Sequence, residues 1–569
     1  MTASNDQPAV ALPALTQDGR ARAEARQGAA SGGRQAASVI DFHSLGRLLV
    51  LGGPARAQRA VRMLAPDLQI VWLRPPAAAA GDEADAAAPE GVILAAGRLT
   101  RLDGYLGRFS AAVAVDDQEL NPAQLLGQAN RYFDLVLDLQ PQPAIPREVP
   151  PLGYFAPGDD EQALRRALEQ LPELVGEFEK PKFFEYDPAI CAHGASGLSG
   201  CSRCLDACPT VAIRSIGDRI EVDANLCQGG GSCATACPTG AIRYVYPAVN
   251  DFLDSLRQAL QRYRGYGGAS PAVVFHDAEA GAEAFRSVAA ALPERVLPFE
   301  VEEAGSLGMD AWLTALAYGA DQVLILVTGA TPPSVLRELS LQLSYAWAIL
   351  EGMGYARERL QLFGYRDPDE SWPIHAAGAI GDGAAMVPGT FAAFDEKRTM
   401  IRLAVDHLHE HAPQARPLAA LPAGAPFGEV WVDAQNCTLC MACASQCPTG
   451  ALLAGDGRPQ LRFLEQNCVQ CGLCARSCPE DAIGPSPRYL YDAGQRARIR
   501  VLYEEEPFRC VSCGKPFASQ KVVARMTQKL HNHWMFQDEA ALRRLKMCEE
   551  CRVIDLFEHG NPDAYGRPQ

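Results

Sequence analysis

Short apolar runs alternate with polar and amphipathic segments over the first third of the chain. The pattern predicts strands over residues 48–51, 69–73, 91–95, 111–115 and 133–139, followed by an amphipathic helix over 161–178. This alternation of apolar and amphipathic segments predicts a small α/β domain over residues 39–150. The first 38 residues are rich in Ala, Gly, Gln and Arg without periodicity, so we expect residues 1–38 to be disordered.

A second alternation fills the middle of the chain, over residues 251–427. It predicts strands over 272–275, 296–299, 322–327 and 360–363, with helices over 279–292, 310–318 and 334–353. We therefore expect a doubly wound, parallel α/β insert. The turn at 328–333 lacks a phosphate-loop lysine, and Gly52-Gly53 in the first domain lacks the full glycine fingerprint. A bound flavin or nucleotide is thus the alternative, and a structural or docking role is the default.

Two histidines lie on one face of a further predicted helix in this insert. They are His407 and His411, with no carboxylate or cysteine set beside them, which indicates solvent-exposed positions.

Composition and charge narrow the class of protein. The chain has 569 residues and 48% apolar content, which is enough for several folded domains. It has no run of 18 apolar residues and no signal-peptide pattern, so we expect a cytoplasmic protein without membrane insertion. The net charge of −16 disfavours binding to nucleic acid. The 19 cysteines cluster at metal-ligand spacing, which favours a reducing compartment over disulfides.

Eight cysteines form an intact double motif within residues 428–490. Each half reads Cys-x2-Cys-x2-Cys-x3-Cys-Pro, the spacing that binds cubane iron–sulfur clusters, with the fourth cysteine of each run ligating the other cluster. A pair of zinc knuckles would not need this doubled pattern. The predicted ligand sets are Cys437, Cys440, Cys443 and Cys478 for one cluster, and Cys468, Cys471, Cys474 and Cys447 for the other.

Seven cysteines form an imperfect copy within residues 180–250. One cluster takes Cys191, Cys201, Cys204 and Cys237, in spite of a nine-residue gap after the first of these. The other keeps Cys208, Cys227 and Cys233, because its middle ligand position is Gly230. Three outcomes follow: a three-iron cluster, which we favour, a labile four-iron cluster completed by water or Ser232, or a vacant half-site. The loop residue His193 is a further candidate ligand.

The last four cysteines lie in the tail, residues 500–569. Cys510-x2-Cys513 and Cys548-x2-Cys551 form two knuckles separated by 34 residues, which predicts a zinc-ribbon-like site with four thiolates. A further iron–sulfur cluster is the alternative.

Four stretches beside the cysteines carry a resemblance to a known family. They are Cys201-Ser-Arg-Cys204-Leu-Asp-Ala-Cys208-Pro209, Cys437-Thr-Leu-Cys440-Met-Ala-Cys443, Phe508-Arg-Cys510-Val-Ser-Cys513-Gly-Lys-Pro-Phe517 and Arg544-Leu-Lys-Met-Cys548. These stretches resemble large bacterial 4Fe-4S proteins whose genes tend to lie beside those of molybdenum formate dehydrogenases. The insert is more weakly similar, around residues 319–326 and 353–360, to the delta subunit that links hydrogenase to heterodisulfide reductase. That subunit carries cysteines for a cluster and the insert has none, so only a docking role carries over.

The motifs and the resemblance together imply an electron carrier rather than a catalyst. We expect three [4Fe-4S] clusters, one [3Fe-4S] or labile [4Fe-4S] cluster and a Zn²⁺ ion, in α/β and α+β domains. The resemblance implies a redox protein as partner, with formate dehydrogenase as the expected one. The alternatives are a subunit of a flavin-containing oxidoreductase and an accessory or maturation factor for a molybdenum or iron–sulfur enzyme.

Overall fold

The computed structural model describes residues 16–29, 38–75, 88–116, 118–365 and 385–559. Its first element is helix α1 (Gln17–Ala29), so the prediction of disorder is wrong for these residues. Ala21 and Ala25, one turn apart, are buried, and Asp18 accepts a hydrogen bond of 2.8 Å from the Tyr263 hydroxyl. Packing against a distant helix thus orders a segment whose own pattern is weak. Residues 1–15 and 30–37, also predicted to be disordered, lie outside the described residues.

A parallel sheet forms the centre of the N-terminal domain, with strand order β4-β3-β2-β8-β9. Alternate residues of β2 lie on opposite faces of the sheet. Leu48 and Val50 pack with α2 and α3 on one face. Leu49 and Leu51 pack against the antiparallel sheet β5-β6-β7 on the other. The elements of the domain are β1 (Val39–Ser44), β2 (Arg47–Leu51), α2 (Pro54–Leu64), β3 (Gln69–Arg74), β4 (Val92–Ala96), β5 (Arg98–Asp103), β6 (Ser110–Val115), β7 (Gln118–Leu120), β8 (Leu135–Asp138), β9 (Tyr154–Phe155), α3 (Glu161–Glu173) and β10 (Gly176–Pro181).

Two features of this domain differ from the prediction. The domain continues past residue 150, because β9 joins the parallel sheet and α3 packs onto it. The helix predicted over 161–178 ends at Glu173, after Pro172 in its last turn. Gly176 then takes a φ of +132°, which favours glycine, and begins β10, which pairs antiparallel with β1.

The first cysteine module is closed by pairing of its first and last strands, β11 and β16. The long gap after Cys191 contains the small hairpin β12-β13. The elements are β11 (Phe184–Tyr186), β12 (Gly194–Ala195), β13 (Leu198–Ser199), α4 (Arg203–Ala207), β14 (Ile213–Ile216), β15 (Arg219–Val222), α5 (Ser232–Ala236) and β16 (Ile242–Tyr244).

The insert contains a four-stranded parallel sheet in the order β18-β17-β19-β20, and all four predicted strands form. Alternate residues again serve two faces: Val274 packs with α7, and Val273 and Phe275 pack with the cluster that includes α6, α8, α9 and α10. The elements are α6 (Val249–Gly265), β17 (Ala272–Asp277), α7 (Ala280–Val288), β18 (Val296–Val301), α8 (Met309–Ala317), β19 (Gln322–Thr328), α9 (Pro333–Gly352), β20 (Leu360–Tyr365) and α10 (Lys397–Glu410).

The second cysteine module and the tail share a sheet. Strand β26, which falls in the predicted tail, pairs with β24 of the module. None of the described helices is both long and apolar enough to cross a membrane. The elements are β21 (Leu418–Ala420), β22 (Gly428–Val432), α11 (Ala442–Ser445), β23 (Leu452–Ala454), β24 (Gln460–Phe463), α12 (Leu473–Arg476), β25 (Ile483–Leu490), α13 (Ala493–Ala497), β26 (Arg500–Glu504), β27 (Pro507–Arg509), β28 (Pro516–Ser519), α14 (Gln520–Leu530), α15 (Glu539–Arg544) and α16 (Glu549–His559).

Candidate metal centres

Two cavities of the second module are each lined by four cysteines. Cys478 lies at the cavity of the run that begins at Cys437, and Cys447 lies at the cavity of the run that begins at Cys468. Apolar side chains form the remaining walls, including Leu461 in the first cavity and Phe463 in the second. Four thiols around a small apolar-walled space are a donor set that fits a cubane cluster. The cavity sets are Cys437, Cys440, Cys443 and Cys478, and Cys447, Cys468, Cys471 and Cys474.

Burial controls the protonation of these thiols. It raises the pKa of Cys443 to about 12, with further contributions from the neighbouring Cys437, Cys440 and Cys478. Burial likewise raises the pKa of Cys474 to about 12. In the metal-free chain these groups are therefore neutral thiols at pH 7, so metal binding must release their protons.

Amide groups donate hydrogen bonds to sulfur atoms in both modules. Ala482 N donates to Cys478 Sγ at 3.3 Å, and Ala212 N donates to Cys208 Sγ at 3.4 Å, each from four residues after the cysteine. The side chain of Gln470 donates to Cys468 Sγ at 3.1 Å. Hydrogen bonds of this kind tune the potential of an iron–sulfur centre, and the N–H donor four residues after the cysteine is common to the two modules.

The first module brings together the cysteines of each predicted set. Burial raises the pKa of Cys204, and the next contributions come from Cys237, Cys201 and Cys191, which are the other members of its set. The pKa of Cys233 is raised by burial and then by Cys227 and Cys208. The long gap after Cys191 thus does not separate that residue from its set.

The loop around Gly230 keeps the backbone conformation of the intact runs. In the second module, Cys440 and Cys471 each lie between two residues of positive φ, and Gly230 lies between two such residues as well. The flanking residues are Leu439 (54°), Met441 (61°), Gln470 (53°), Gly472 (80°), Gly229 (79°) and Gly231 (70°). The first module therefore retains a cluster-type loop at the position where it lacks the thiol.

The two proposed substitute ligands, Ser232 and His193, make hydrogen bonds within the protein. Ser232 Oγ donates a hydrogen bond of 2.7 Å to the carbonyl oxygen of Ala207. The two ring nitrogens of His193 lie 2.8 Å from the Cys201 carbonyl oxygen and 2.8 Å from Ser215 Oγ. Either side chain would have to exchange a hydrogen bond for the metal, and ligation by Ser232 or His193 stays a prediction.

Two cations at the start of α10 reach the cysteine modules from the insert. Lys397 Nζ donates to the carbonyl oxygens of Ala234 and Thr235, at 2.7 and 2.6 Å, at the end of α5. Arg398 is buried between the two modules, and burial lowers its pKa to about 10, so it remains charged at neutral pH. Nothing in the local sequence pattern distinguishes Arg398 from a surface arginine, and only the tertiary contacts identify it.

The four tail cysteines form the most compact group of thiols. Their sulfur atoms all lie within 4.8 Å of one another, and those of Cys513 and Cys548 are 3.7 Å apart. Burial raises the pKa of Cys510, but backbone N–H groups outweigh this effect and lower the pKa to about 6. Beside this site, Ser519 Oγ donates to the carbonyl oxygen of Thr438, which lies between two cysteines of the second module. The grouped residues are Cys510, Cys513, Cys548 and Cys551.

A second group of potential ligands lies at the end of α10. The expectation that no carboxylate accompanies His407 and His411 is wrong, because Glu410 lies with them and their ligand atoms are within 4.8 Å of one another. His407 is half-buried, with Nε2 2.7 Å from the Val387 carbonyl oxygen, and the other two are exposed. Glu410 precedes His411 on the same helical turn, which is the signal that could have identified it.

Comparison with protein families now adds to this geometry. Residues 436–483 match a family model described as a 4Fe-4S dicluster domain, and residues 220–243 match one described as a 4Fe-4S binding domain. This is an iron–sulfur protein. The second match includes Gly230, so the incomplete run of this iron–sulfur protein still fits the domain pattern. A search of curated proteins gives no match to the chain.

Proposed function

We propose that this iron–sulfur protein is a cytoplasmic electron carrier that exchanges electrons with a formate dehydrogenase. The observation that carries the proposal is the pair of four-cysteine cavities in the second module. A bound cluster supplies one-electron exchange, and the protein supplies ligands, hydrogen bonds and exclusion of solvent.

The ligands proposed for the clusters follow the grouping of the cysteines. In the second module, the crossed residues Cys447 and Cys478 join its two halves into one unit. In the first module, Cys208, Cys227 and Cys233 hold a [3Fe-4S] or labile [4Fe-4S] cluster, and the retained loop conformation around Gly230 supports this assignment. The three complete [4Fe-4S] sets are Cys191, Cys201, Cys204 and Cys237; Cys437, Cys440, Cys443 and Cys478; and Cys447, Cys468, Cys471 and Cys474.

We assign a single Zn²⁺ ion to the tail. Zn–S bonds of about 2.3 Å in a tetrahedron place neighbouring sulfurs about 3.8 Å apart. The 3.7 Å between the sulfurs of Cys513 and Cys548 fits this value. In a cubane cluster each thiolate binds a different iron, which requires wider separations. The closed site would stabilise the tail beside the loop that contains Thr438.

The partner proposal rests on the family resemblance and on charge. A net charge of −16 suits docking to a basic patch on a redox partner. The test mixes anaerobic, oxidised protein with catalytic amounts of formate dehydrogenase and follows bleaching of the cluster absorbance after addition of formate. We expect reduction that needs both formate and the enzyme. Protein that dithionite reduces but that formate with the enzyme does not reduce would exclude this partner.

A further inference from the structure

The Arg398 side chain makes hydrogen bonds to both cysteine modules. Its Nη1 donates to the carbonyl oxygens of Pro238, at 3.3 Å, and Pro426, at 3.0 Å. Its Nη2 donates to the carbonyl oxygens of Gln466 and Cys468, each at 3.0 Å. One guanidinium group thus connects a backbone segment of the first module to the end of the insert at Pro426 and to one segment of the second module.

These contacts lie next to proposed cluster ligands. Pro238 directly follows Cys237, the fourth cysteine of the set of Cys191 in the first module. Cys468 belongs to a four-cysteine cavity of the second module. Arg398 therefore bonds to the ligand loops of one site in each module, although it belongs to neither module.

The charge of Arg398 has no carboxylate partner among the described residues. Only 7% of the residue is exposed, and its four bonded acceptors are neutral carbonyl oxygens. The neighbouring Glu396 pairs instead with Arg402, at 3.7 Å. Nε of Arg398 is buried without a hydrogen-bond partner. A buried, unpaired cation is unfavourable by several kcal/mol, roughly, unless negative charge lies nearby.

A four-thiolate iron–sulfur site supplies negative charge that increases on reduction. Such sites are proposed on both sides of Arg398, and the two modules are in direct contact close by. The Arg476 side chain donates to the Gly200 carbonyl oxygen at 3.1 Å, next to Cys201. The Phe427 ring, 4.7 Å from Arg398 Cζ, and the nearby Glu396 offer partial compensation. The two clusters would supply the remaining negative charge.

We propose that Arg398 balances the charge of the two clusters that face each other across the module junction, those of Cys237 and Cys468. Its guanidinium stabilises the reduced form on either side, so both sites keep potentials that allow electrons to cross between the modules. The inference rests on the proposed electron-carrier function. It also gives the cysteine-free insert a role, since the insert supplies the residue that joins the two redox modules.

The test is a redox titration of the full chain followed by electron paramagnetic resonance, with iron and sulfide content as a second readout. Arg398→Gln should retain its iron and lower the reduced-to-oxidised ratio of the two facing clusters about tenfold at fixed ambient potential, which equals about 59 mV for one electron. Arg398→Lys should restore most of the ratio. Arg402→Gln, one turn away, is the matched control and should change it little, because Arg402 is more exposed, pairs with Glu396 and makes only one long bond, of 3.4 Å, to the Gln466 carbonyl oxygen. Cys201→Ala and Cys471→Ala identify the two signals.

A fully loaded Arg398→Gln protein with the wild-type ratio would overturn the inference and leave the electron-carrier proposal intact. An equal shift in Arg402→Gln would overturn it as well. If Arg398→Gln does not hold iron, Arg398→Lys provides the test. An iron-containing Arg398→Lys protein with the wild-type reduced-to-oxidised ratio supports charge balance. A ratio that is ten times lower contradicts it. Loss of iron in both variants would assign Arg398 a purely structural role. Wild-type protein without clusters would instead refute the proposed function.

Discussion

Arg476 Nη1 donates a hydrogen bond of 3.1 Å to the carbonyl oxygen of Gly200, which joins helix α12 of the second module to the residue before Cys201 of the first. The contact is close, because a Cβ atom on Gly200 would lie 2.8 Å from Leu473 Cγ and 2.6 Å from the Ala192 carbonyl oxygen. Only glycine fits here, although its φ is ordinary.

This contact makes Gly200→Ala a test of the module junction. The added methyl group should force the two ligand loops apart and destabilise the protein by about 1–3 kcal/mol. We expect weaker spin–spin interaction between the reduced clusters at unchanged iron content, measured by electron paramagnetic resonance. Gly53→Ala, where the added Cβ meets nothing within 4 Å, is the control. An unchanged interaction in Gly200→Ala would show that this contact does not set the distance between the modules.

Metal content tests the ligand count. Anaerobically purified protein should contain about fifteen irons with one three-iron cluster, or about sixteen with four cubanes, and about one zinc. Iron, sulfide and zinc analysis measures this directly. Eight or fewer irons after reconstitution would show that the first module holds no cluster and takes no part in electron transfer. Iron near twenty without zinc would mean that the tail holds a cluster.

The crossed ligands of the second module predict an effect at the opposite run. Cys478→Ala should damage the cluster of Cys437, Cys440 and Cys443, because Cys478 lines their cavity. Cys447→Ala is the matched variant and should affect the other cluster. Electron paramagnetic resonance and iron analysis of the two variants decide the pairing. Loss confined to the cluster of Cys468 in the Cys478→Ala protein would refute it.

The cysteine sets could be predicted because short-range spacing fixes the ligand loops. Spacing of two residues between cysteines forces a turn in which residues such as Leu439 and Met441 take positive φ. The central strands β17 and β19 of the insert could be predicted equally well, since their apolar runs are buried on both faces. In each case the signal that predicts the feature, a cysteine spacing or an apolar run, lies within a few residues of sequence.

The features that the sequence did not reveal depend on distant contacts. The small buried side chains of Ala21 and Ala25 give helix α1 a weak sequence signal for its packing. Strand β10 forms because β1 provides a partner far away in the sequence, with Ser44 opposite Gly176 at one end of the pair. The role of Arg398 likewise depends on contacts that are distant in sequence. Its acceptors at Pro238 and Cys468 are 160 and 70 residues away, so no local pattern marks it.

The pH dependence of stability should reflect Glu303, which lies beside the first module. Burial raises its pKa to about 7 from an ordinary value of 4.5, with contributions from Asp277, Glu279 and Glu302. A raised carboxyl pKa means that stability present below pH 4.5 is lost as the pH rises through about 7. The loss is on the order of 3 kcal/mol over this window.

Glu303→Gln should remove this dependence and leave the variant more stable than wild type at pH 8. Anaerobic denaturant titrations of both proteins at pH 5.5 and 8 measure the difference. Glu283→Gln, an exposed carboxylate on α7, is the control. Equal pH dependence in wild type and Glu303→Gln would contradict the assignment.

Gly230 decides the cluster type at the incomplete site. A Cβ at this position would meet only Pro209 Cγ, at an ordinary 3.6 Å, so Gly230→Cys places a thiol without a clash. Gly229→Cys is the matched control, because its Cβ would lie 2.8 Å from the Phe183 ring and its φ is +79°.

Air-oxidised wild type should show the paramagnetic signal of an oxidised three-iron cluster. Gly230→Cys should abolish that signal and lower the potential, since the added thiolate brings negative charge that favours the oxidised form. Four irons at this site in the wild type, without a three-iron signal, would show that a ligand other than cysteine, such as water or Ser232, completes a cubane there.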